Sequence, residues 1–185
     1  MALDLVLIAH NIRSLYNVGS LFRTCDGAGV SKLWLTGYSG FPPRKEISKT
    51  ALGAEAAVAW EQSWEIGPVL ASLRAQGYTI AAVERTADSL EYTQYAVPDR
   101  LALILGNEVS GLEAELLTQG DAILHVPMLG TKHSLNVAVC GGVMLYGLRA
   151  QWQSRQAPGP AGLPGRETQA ASQVHISGAP PAATA

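Results

Sequence analysis

Apolar side chains fall in two rhythms along this chain. Leu3–Ala9 (LDLVLIA) is a short apolar run of the kind a buried strand uses, and Leu101–Leu105 (LALIL) is wholly apolar. Such a segment suits a central parallel strand covered on both faces. Lys32–Leu35, Tyr78–Val83 and Ala122–Val126 predict three further strands, with Gly29 and Gly37 bounding the first of them. Between these runs the period lengthens to that of a helix. Val18–Gly27 predicts one helix. Ile66, Val69, Leu70 and Leu73 mark another over Ile66–Gln76, ended by Gly77. Ser134–Gln151 predicts a long last helix, in which Gly141–Gly142 leaves room for a close backbone. The alternation of strand and helix gives an α/β fold with a mostly parallel sheet. No internal repeat interrupts it.

The rhythm stops near the C-terminus. Of the 30 residues from Gln156 to Ala185, 24 are Ala, Pro, Gly, Ser, Thr or Gln. Such a stretch cannot bury enough apolar surface to offset its ordering entropy. The expected organisation is therefore one domain over residues 1–154 and a disordered tail over 155–185.

Composition narrows the class. The 185 residues carry 13 Lys plus Arg against 15 Asp plus Glu, a formal charge of −2, which excludes a binder that is strongly basic throughout. The charge is uneven, however. Residues 1–50 hold six basic and three acidic side chains, residues 51–125 three and eleven, and residues 126–185 four and one. Either this is ordinary surface scatter, or the two ends of the chain meet to form a positive site for a polyanion. No apolar run approaches the ~18 residues of a membrane span, and the N-terminus lacks a basic, cleavable leader. Cys25 and Cys140, without a CxxC pair, suggest neither a disulfide framework nor a metal site. A soluble cytoplasmic protein is the expectation.

Three clusters carry candidate chemistry, each where a strand gives way to a helix, the favoured place for a ligand in an open α/β sheet. The first is His10 to Thr24, HNIRSLYNVGSLFRT. Asn17 suffices as a helix cap there, while Arg13 and Arg23 flank a helix start suited to phosphate. The second, LGNEVSGL over Leu105 to Leu112, joins two glycines, an amide and a carboxylate after the strongest strand. It matches neither GxGxxG nor a Walker A loop. The third, VPMLGTKHSLNVA over Val126 to Ala138, offers Ser134 as an N-cap and Asn136 one turn inside the helix. His133 is a solvated loop histidine or a base. Together the clusters describe a ligand site without naming the ligand.

At these clusters the sequence resembles the SpoU/TrmH class of RNA 2′-O-ribose methyltransferases in the SPOUT superfamily. NVGSLFRT (Asn17–Thr24) looks like the first motif of that class, LILGNEVSGL (Leu103–Leu112) like the second, and VPMLGTKHSLNVAVC (Val126–Cys140) like the third. The resemblance implies a Rossmann-like sheet whose C-terminal part makes a deep trefoil knot, a topology that periodicity could never reveal. It implies S-adenosylmethionine (S-adenosyl-L-methionine) as cofactor, held mainly by backbone groups. By position the contacts are Gly106, Val126 and Leu135, with Leu105, Met128 and Gly130 nearby. It also implies a homodimer with the active site completed near the subunit interface, for which the Gly141–Gly142 helix offers a packing surface.

The implied reaction is methylation of a ribose 2′-hydroxyl in structured transfer or ribosomal RNA, with transfer RNA favoured by the compact form. Arg23 would orient the hydroxyl and its phosphate and stabilise developing alkoxide charge, since a guanidinium is a poor base. Asn17, Glu108, Ser134 and Asn136 would hold the arginine, the cofactor loop and the ribose. With the first strand starting near residue 3, no RNA-binding module is expected ahead of it. RNA recognition then rests on the surface, with Arg13, Arg44, Lys45, Lys49 and Lys132 as its basic candidates. Phe41–Lys45 reads as a mobile basic loop or as a solvated turn. The alternatives are a non-catalytic knotted RNA-binding dimer, an RNA base methyltransferase of the same superfamily, and a nucleotide-binding protein using another cofactor. No metal is expected.

Overall fold

The computed structural model describes residues 2–156. Apart from Arg155 and Gln156, the tail expected over 155–185 lies outside the described residues. Strand β1 (Asp4–His10) is followed by α1 (Leu15–Ala28), β2 (Lys32–Thr36), the short helices α2 (Lys45–Ala51) and α3 (Ala54–Ala57), and β3 (Trp60–Ser63). The chain continues through α4 (Ile66–Ala75), β4 (Thr79–Val83), β5 (Leu90–Glu91), a single 3₁₀ turn at Tyr92–Gln94, and β6 (Arg100–Leu105). Helix α5 (Ala114–Leu117), β7 (Ala122–His125) and α6 (Val137–Gln156) complete it.

The strands form one sheet in the order β3-β2-β1-β6-β4-β7-β5, and every pair in it is parallel. The most apolar run, β6, is indeed central, with Leu101–Leu105 buried. Alternation across the pleat divides the core in two. Leu5, Leu7, Leu101, Leu103 and Leu105 face the layer built on α1 and α6. Val6, Ile8, Ile80, Ala102 and Ile104 face Val69, Leu70 and Leu73 of α4. Because all strands run the same way, their carboxyl ends share one edge. Register levels that edge: His10 pairs with Thr36, and Ala9 and Val83 both pair with Leu105.

Of the three helix starts expected from the sequence, the one at Ile66 holds and the other two move. α1 begins at Leu15, because Ser14 is the cap and accepts from the Asn17 amide N–H at 3.3 Å. Asn17 is thus not the cap, and its side chain is free for other partners. α6 begins at Val137, and Ser134 does not cap it. Asn136 stands at the boundary instead, its Oδ1 accepting from Ala138 N at 3.0 Å and Val139 N at 3.3 Å. At the far end α6 runs to Gln156, past the boundary expected at 154. Trp152 Nε1 donates to Asp99 Oδ1 at 2.9 Å, and Arg155 donates to the Val97 carbonyl at 2.9 Å.

Gly141 also takes a different role. A Cβ there would lie 2.9 Å from Leu21 and 3.0 Å from Leu105, so its close approach is to α1 and β6 of its own chain. The segment read as a basic loop or a solvated turn is irregular from Phe41 to Arg44 and leads into α2, with Arg44 at the cap position and Lys45 as the first helical residue.

Candidate active site

Three segments leave the shared edge side by side: residues 11–14 after β1, 106–113 after β6 and 126–136 after β7. Glu108 joins the first two. Its Oε2 accepts from Arg13 N at 2.9 Å, and its Oε1 accepts from Ser14 N at 3.0 Å and from Asn17 Nδ2 at 2.9 Å. A carboxylate at the first turn of α1 also complements the helix dipole. Burial pushes the Glu108 pKa up, but the N–H groups of Arg13 and Ser14 and the Asn17 amide outweigh it, leaving it below the ordinary carboxylate value. Glu108 is therefore an anion at neutral pH, with both oxygens engaged.

The third segment joins through Asn136, whose Nδ2 donates to Asn17 Oδ1 at 3.1 Å. Glu108, Asn17 and Asn136, one from each sequence cluster, thus form a continuous hydrogen-bonded chain. An amide can do this because it donates at one end and accepts at the other. Asn17 uses its NH₂ on Glu108 and its oxygen on Asn136.

Beside this chain lies a cleft of about 180 Å³. Leu105, Gly106, Val126, Met128 and Leu135 line it, together with Ser134, His133, Cys140 and Glu84; Gly130 does not. Two glycines keep its inner wall thin. Asn107 and Gly111 exchange backbone hydrogen bonds of 3.1 and 3.0 Å, folding the loop back on itself. A Cβ on Gly106 would sit 2.6 Å from the Gly111 carbonyl carbon, and Gly111, at φ +69°, is backed directly by the Glu84 carboxylate. That carboxylate also accepts from Leu112 N at 3.1 Å. The cleft offers apolar side chains, exposed backbone edges and a carboxylate, which suits a nucleoside-like ligand.

The other predicted residues lie apart. Arg23 is exposed on α1 and lines a separate hollow with Asp26, Leu52, Gly53 and Ala54, not the cleft. Arg13, Arg44, Lys45, Lys49 and Lys132 are all exposed, and Lys49 Nζ lies 5.9 Å from the Tyr16 ring centre. Burial raises the thiol pKa of Cys25 far above its usual value. It lifts that of Cys140 to about 11, helped by the negative charge of Glu84. Neither thiol is a nucleophile at neutral pH. Among the described residues no three His, Cys, Asp or Glu side chains gather as a metal site.

Sequence reasoning missed a second polar network on the same edge. His10 Nδ1 bonds Thr36 Oγ1 at 2.9 Å, and its Nε2 lies 3.0 Å from Asn11 Nδ2. Burial lowers the His10 pKa, partly opposed by the Glu113 charge, so the ring is neutral at neutral pH. Asn107 Nδ2 donates to the Asn11 carbonyl at 2.9 Å and to the Tyr38 hydroxyl at 2.7 Å. Asparagine in the left-handed region is the one local peculiarity here, with Asn11 at φ +57°. Sequence shows nothing of that.

The profile of the SpoU rRNA Methylase family matches residues 4–146. A tRNA (guanosine(18)-2′-O)-methyltransferase of Mus musculus, TARBP1, is 33% identical over 147 residues, 77% of this chain and 9% of the mouse protein. A tRNA (guanosine(18)-2′-O)-methyltransferase of Aquifex aeolicus is 28% identical over 153 residues, 82% of this chain and 72% of the relative. Among solved structures, an AdoMet-bound rRNA methyltransferase from Sinorhizobium meliloti has a TM-score of 0.76 at 27% identity, covering 82% of this chain and 57% of that one. The chain thus spans a small fraction of the mouse protein and little more than half of the S. meliloti protein.

Proposed function

The chain belongs to the SpoU rRNA methylase family, and from that premise we propose that it methylates a ribose 2′-hydroxyl of structured RNA with S-adenosylmethionine as methyl donor. The observation that carries this reading is the Glu108–Asn17–Asn136 chain, which ties three strand exits together beside one cleft. Transfer RNA is the favoured substrate class, since both curated relatives above act on transfer RNA at guanosine 18.

The cleft fits the methyl donor in kind. Leu105, Val126 and Leu135 offer an apolar seat for an adenine ring, and the 106–111 loop, bare of Cβ atoms at Gly106 and Gly111, presents backbone edges to it. When bound, the cofactor supplies an electrophilic sulfonium methyl group. The protein must then bring a ribose hydroxyl into line with that methyl and ease loss of its proton. Glu108 is a poor candidate for the base because three N–H groups occupy its oxygens. Its role is to fix the α1 start and the Asn17 amide. Ser134, in the cleft wall, and Asn136 are suited to hold the ribose. Arg23 is suited to orient the substrate phosphate and stabilise alkoxide charge.

Arg23 stands outside the cleft, which favours a homodimer whose active site draws on both copies. The exposed Tyr16 of α1 with Val139 and Tyr146 of α6 offer the apolar face for that pairing. The knot expected of this class is supported by the placement of α6. Its residues 151–155 are hydrogen-bonded to Tyr92, Val97 and Asp99 of the β5–β6 connection, while its Gly141 lies against α1 and β6. Among the described residues no helix is long and apolar enough to cross a membrane. The cytoplasm, where transfer RNA is met, is the proposed compartment.

The test is transfer of labelled methyl from S-adenosylmethionine to hypomodified transfer RNA and to ribosomal RNA, with nucleoside analysis of the product. A 2′-O-methylated nucleoside supports the reading. A base-methylated nucleoside overturns it, and saturable cofactor binding without transfer to either RNA leaves a non-catalytic binder.

A further inference from the structure

Tyr38 is the residue on the strand-exit edge whose surroundings ask for a ligand. It follows β2 in the tight loop between Gly37 and Ser39 and is 54% exposed, although its neighbours in sequence are pinned down. Ser39 is 3% exposed, its hydroxyl donating to the Ala9 carbonyl at 2.8 Å and accepting from Ile12 N at 2.8 Å. The Tyr38 backbone N–H donates to Asn11 Oδ1 at 3.1 Å, and its hydroxyl accepts from Asn107 Nδ2 at 2.7 Å.

This anchoring uses unusual backbone. Asn11 takes φ +57°, and Gly37, at φ +64°, has no room for a Cβ because the Asn11 side-chain oxygen occupies that space. The ring is thus held at both ends, by its peptide and by its hydroxyl. Yet among the described residues no other ring stacks on it and no cation sits over its face. A chance surface tyrosine carries no such double tether. Asn107, which holds the hydroxyl, immediately precedes Glu108, so the ring is coupled to the loop that organises the candidate active site.

We propose that Tyr38 is a stacking platform for an unpaired base of the RNA substrate, beside the ribose presented to the cleft. The proposal rests on the methyltransferase reading above and adds a base-binding subsite to it. Every base has a π-face, so stacking on a fixed aromatic ring grips single-stranded RNA whatever its sequence. The charge around it agrees with a polyanion: Arg13 is exposed just after Asn11, and Arg44 and Lys45 are exposed where the loop from Tyr38 meets α2. The nearby Glu113 carboxylate is oriented towards Asn11 Nδ2 at 3.3 Å and His10 Nε2 at 3.6 Å. Pre-fixing the ring avoids the cost of ordering it at the moment of binding.

The test compares Tyr38→Phe with Tyr38→Leu. Both lose the hydroxyl tether, so the difference between them reports the ring alone. Affinity for an unmodified transfer RNA transcript is measured by fluorescence anisotropy over a range of KCl concentrations, beside S-adenosylhomocysteine binding by calorimetry. The leucine variant should bind the transcript roughly 5- to 150-fold more weakly than the phenylalanine variant, the range expected for one stacked base. The salt dependence should be the same in both, because no phosphate contact changes. S-adenosylhomocysteine affinity should match the wild type in both. Equal RNA affinity of the two variants, with wild-type protein binding the transcript normally, overturns the stacking proposal and leaves the methyltransferase reading intact. Failure of the wild-type protein to bind or methylate any RNA overturns that reading itself, and the subsite with it.

Discussion

The two halves of α1 meet different surroundings. Its first turn is tied into the chain's own site, where Ser14 and Asn17 are held by Glu108, and Asn17 by Asn136. Its second half carries Arg23 on an exposed face beside α3, where the guanidinium makes no hydrogen bond or ion pair among the described residues. Asn17 and Arg23 are six residues apart, so a period of about 3.6 turns them to different sides of the helix. A motif that is contiguous in sequence can therefore serve two places in space. The half tied into the hydrogen-bonded network should respond to mutation through stability as well as activity, and the exposed half through activity alone.

Replacement of Arg23 by Ala breaks this comparison most sharply. Turnover should fall at least ~100-fold, the scale for removing one group that stabilises transition-state charge. S-adenosylhomocysteine affinity and melting temperature should be unchanged. Mixing this variant with an Asn17→Ala variant sharpens the point, because activity recovered in the mixture requires sites assembled from two copies.

Glu108→Gln comes next. One oxygen becomes an NH₂ facing N–H donors, so both stability and turnover should fall, stability by about 1–3 kcal/mol. Denaturant titration checks this, and pH gives a second handle. The Glu108 pKa lies below its ordinary value in the folded chain. Its contribution is therefore complete above about pH 4.5 and is lost as pH falls through the folded value. The glutamine variant should accordingly lose less stability than the wild type on acidification through that window.

Asn136→Ala should cost about 1 kcal/mol through loss of the α6 cap and should also slow turnover, since the Asn17 amide loses its partner. The smallest effect is expected from Arg44→Glu. It should weaken RNA binding with a salt slope lower by about one and leave cofactor affinity untouched. A fluorescence-anisotropy titration at several KCl concentrations reads both quantities.

Much of the sheet was legible because burial writes itself into composition. β6 is apolar from Leu101 to Leu105 and proves central, and β1 is nearly so and lies beside it. The edge strand β3, Trp60–Ser63, was not predicted, because its WEQS sequence is half-exposed and polar, as edge strands often are. The caps were misplaced for another reason. Ser14 and Asn17 are both competent caps, as are Ser134 and Asn136, and only tertiary contacts decide between them. Glu108 claims the Asn17 side chain, so Ser14 caps α1. The network of Asn11, Tyr38 and Asn107 left no trace at all, since its bonds join residues 27, 69 and 96 positions apart and follow no period.

Asn136 stands at one end of the last helix and also at the end of the site's hydrogen-bonded chain. Leu135, Val137 and Cys140, at the same junction, form part of the cleft wall. In chain order this junction follows β7, after the other two segments of the site. Until α6 has docked, Asn17 has no partner on its oxygen side and the cleft lacks a wall. Docking of α6 and completion of the site are therefore a single event, so a change that loosens this helix far from the cleft should still be felt at Asn17 and Glu108.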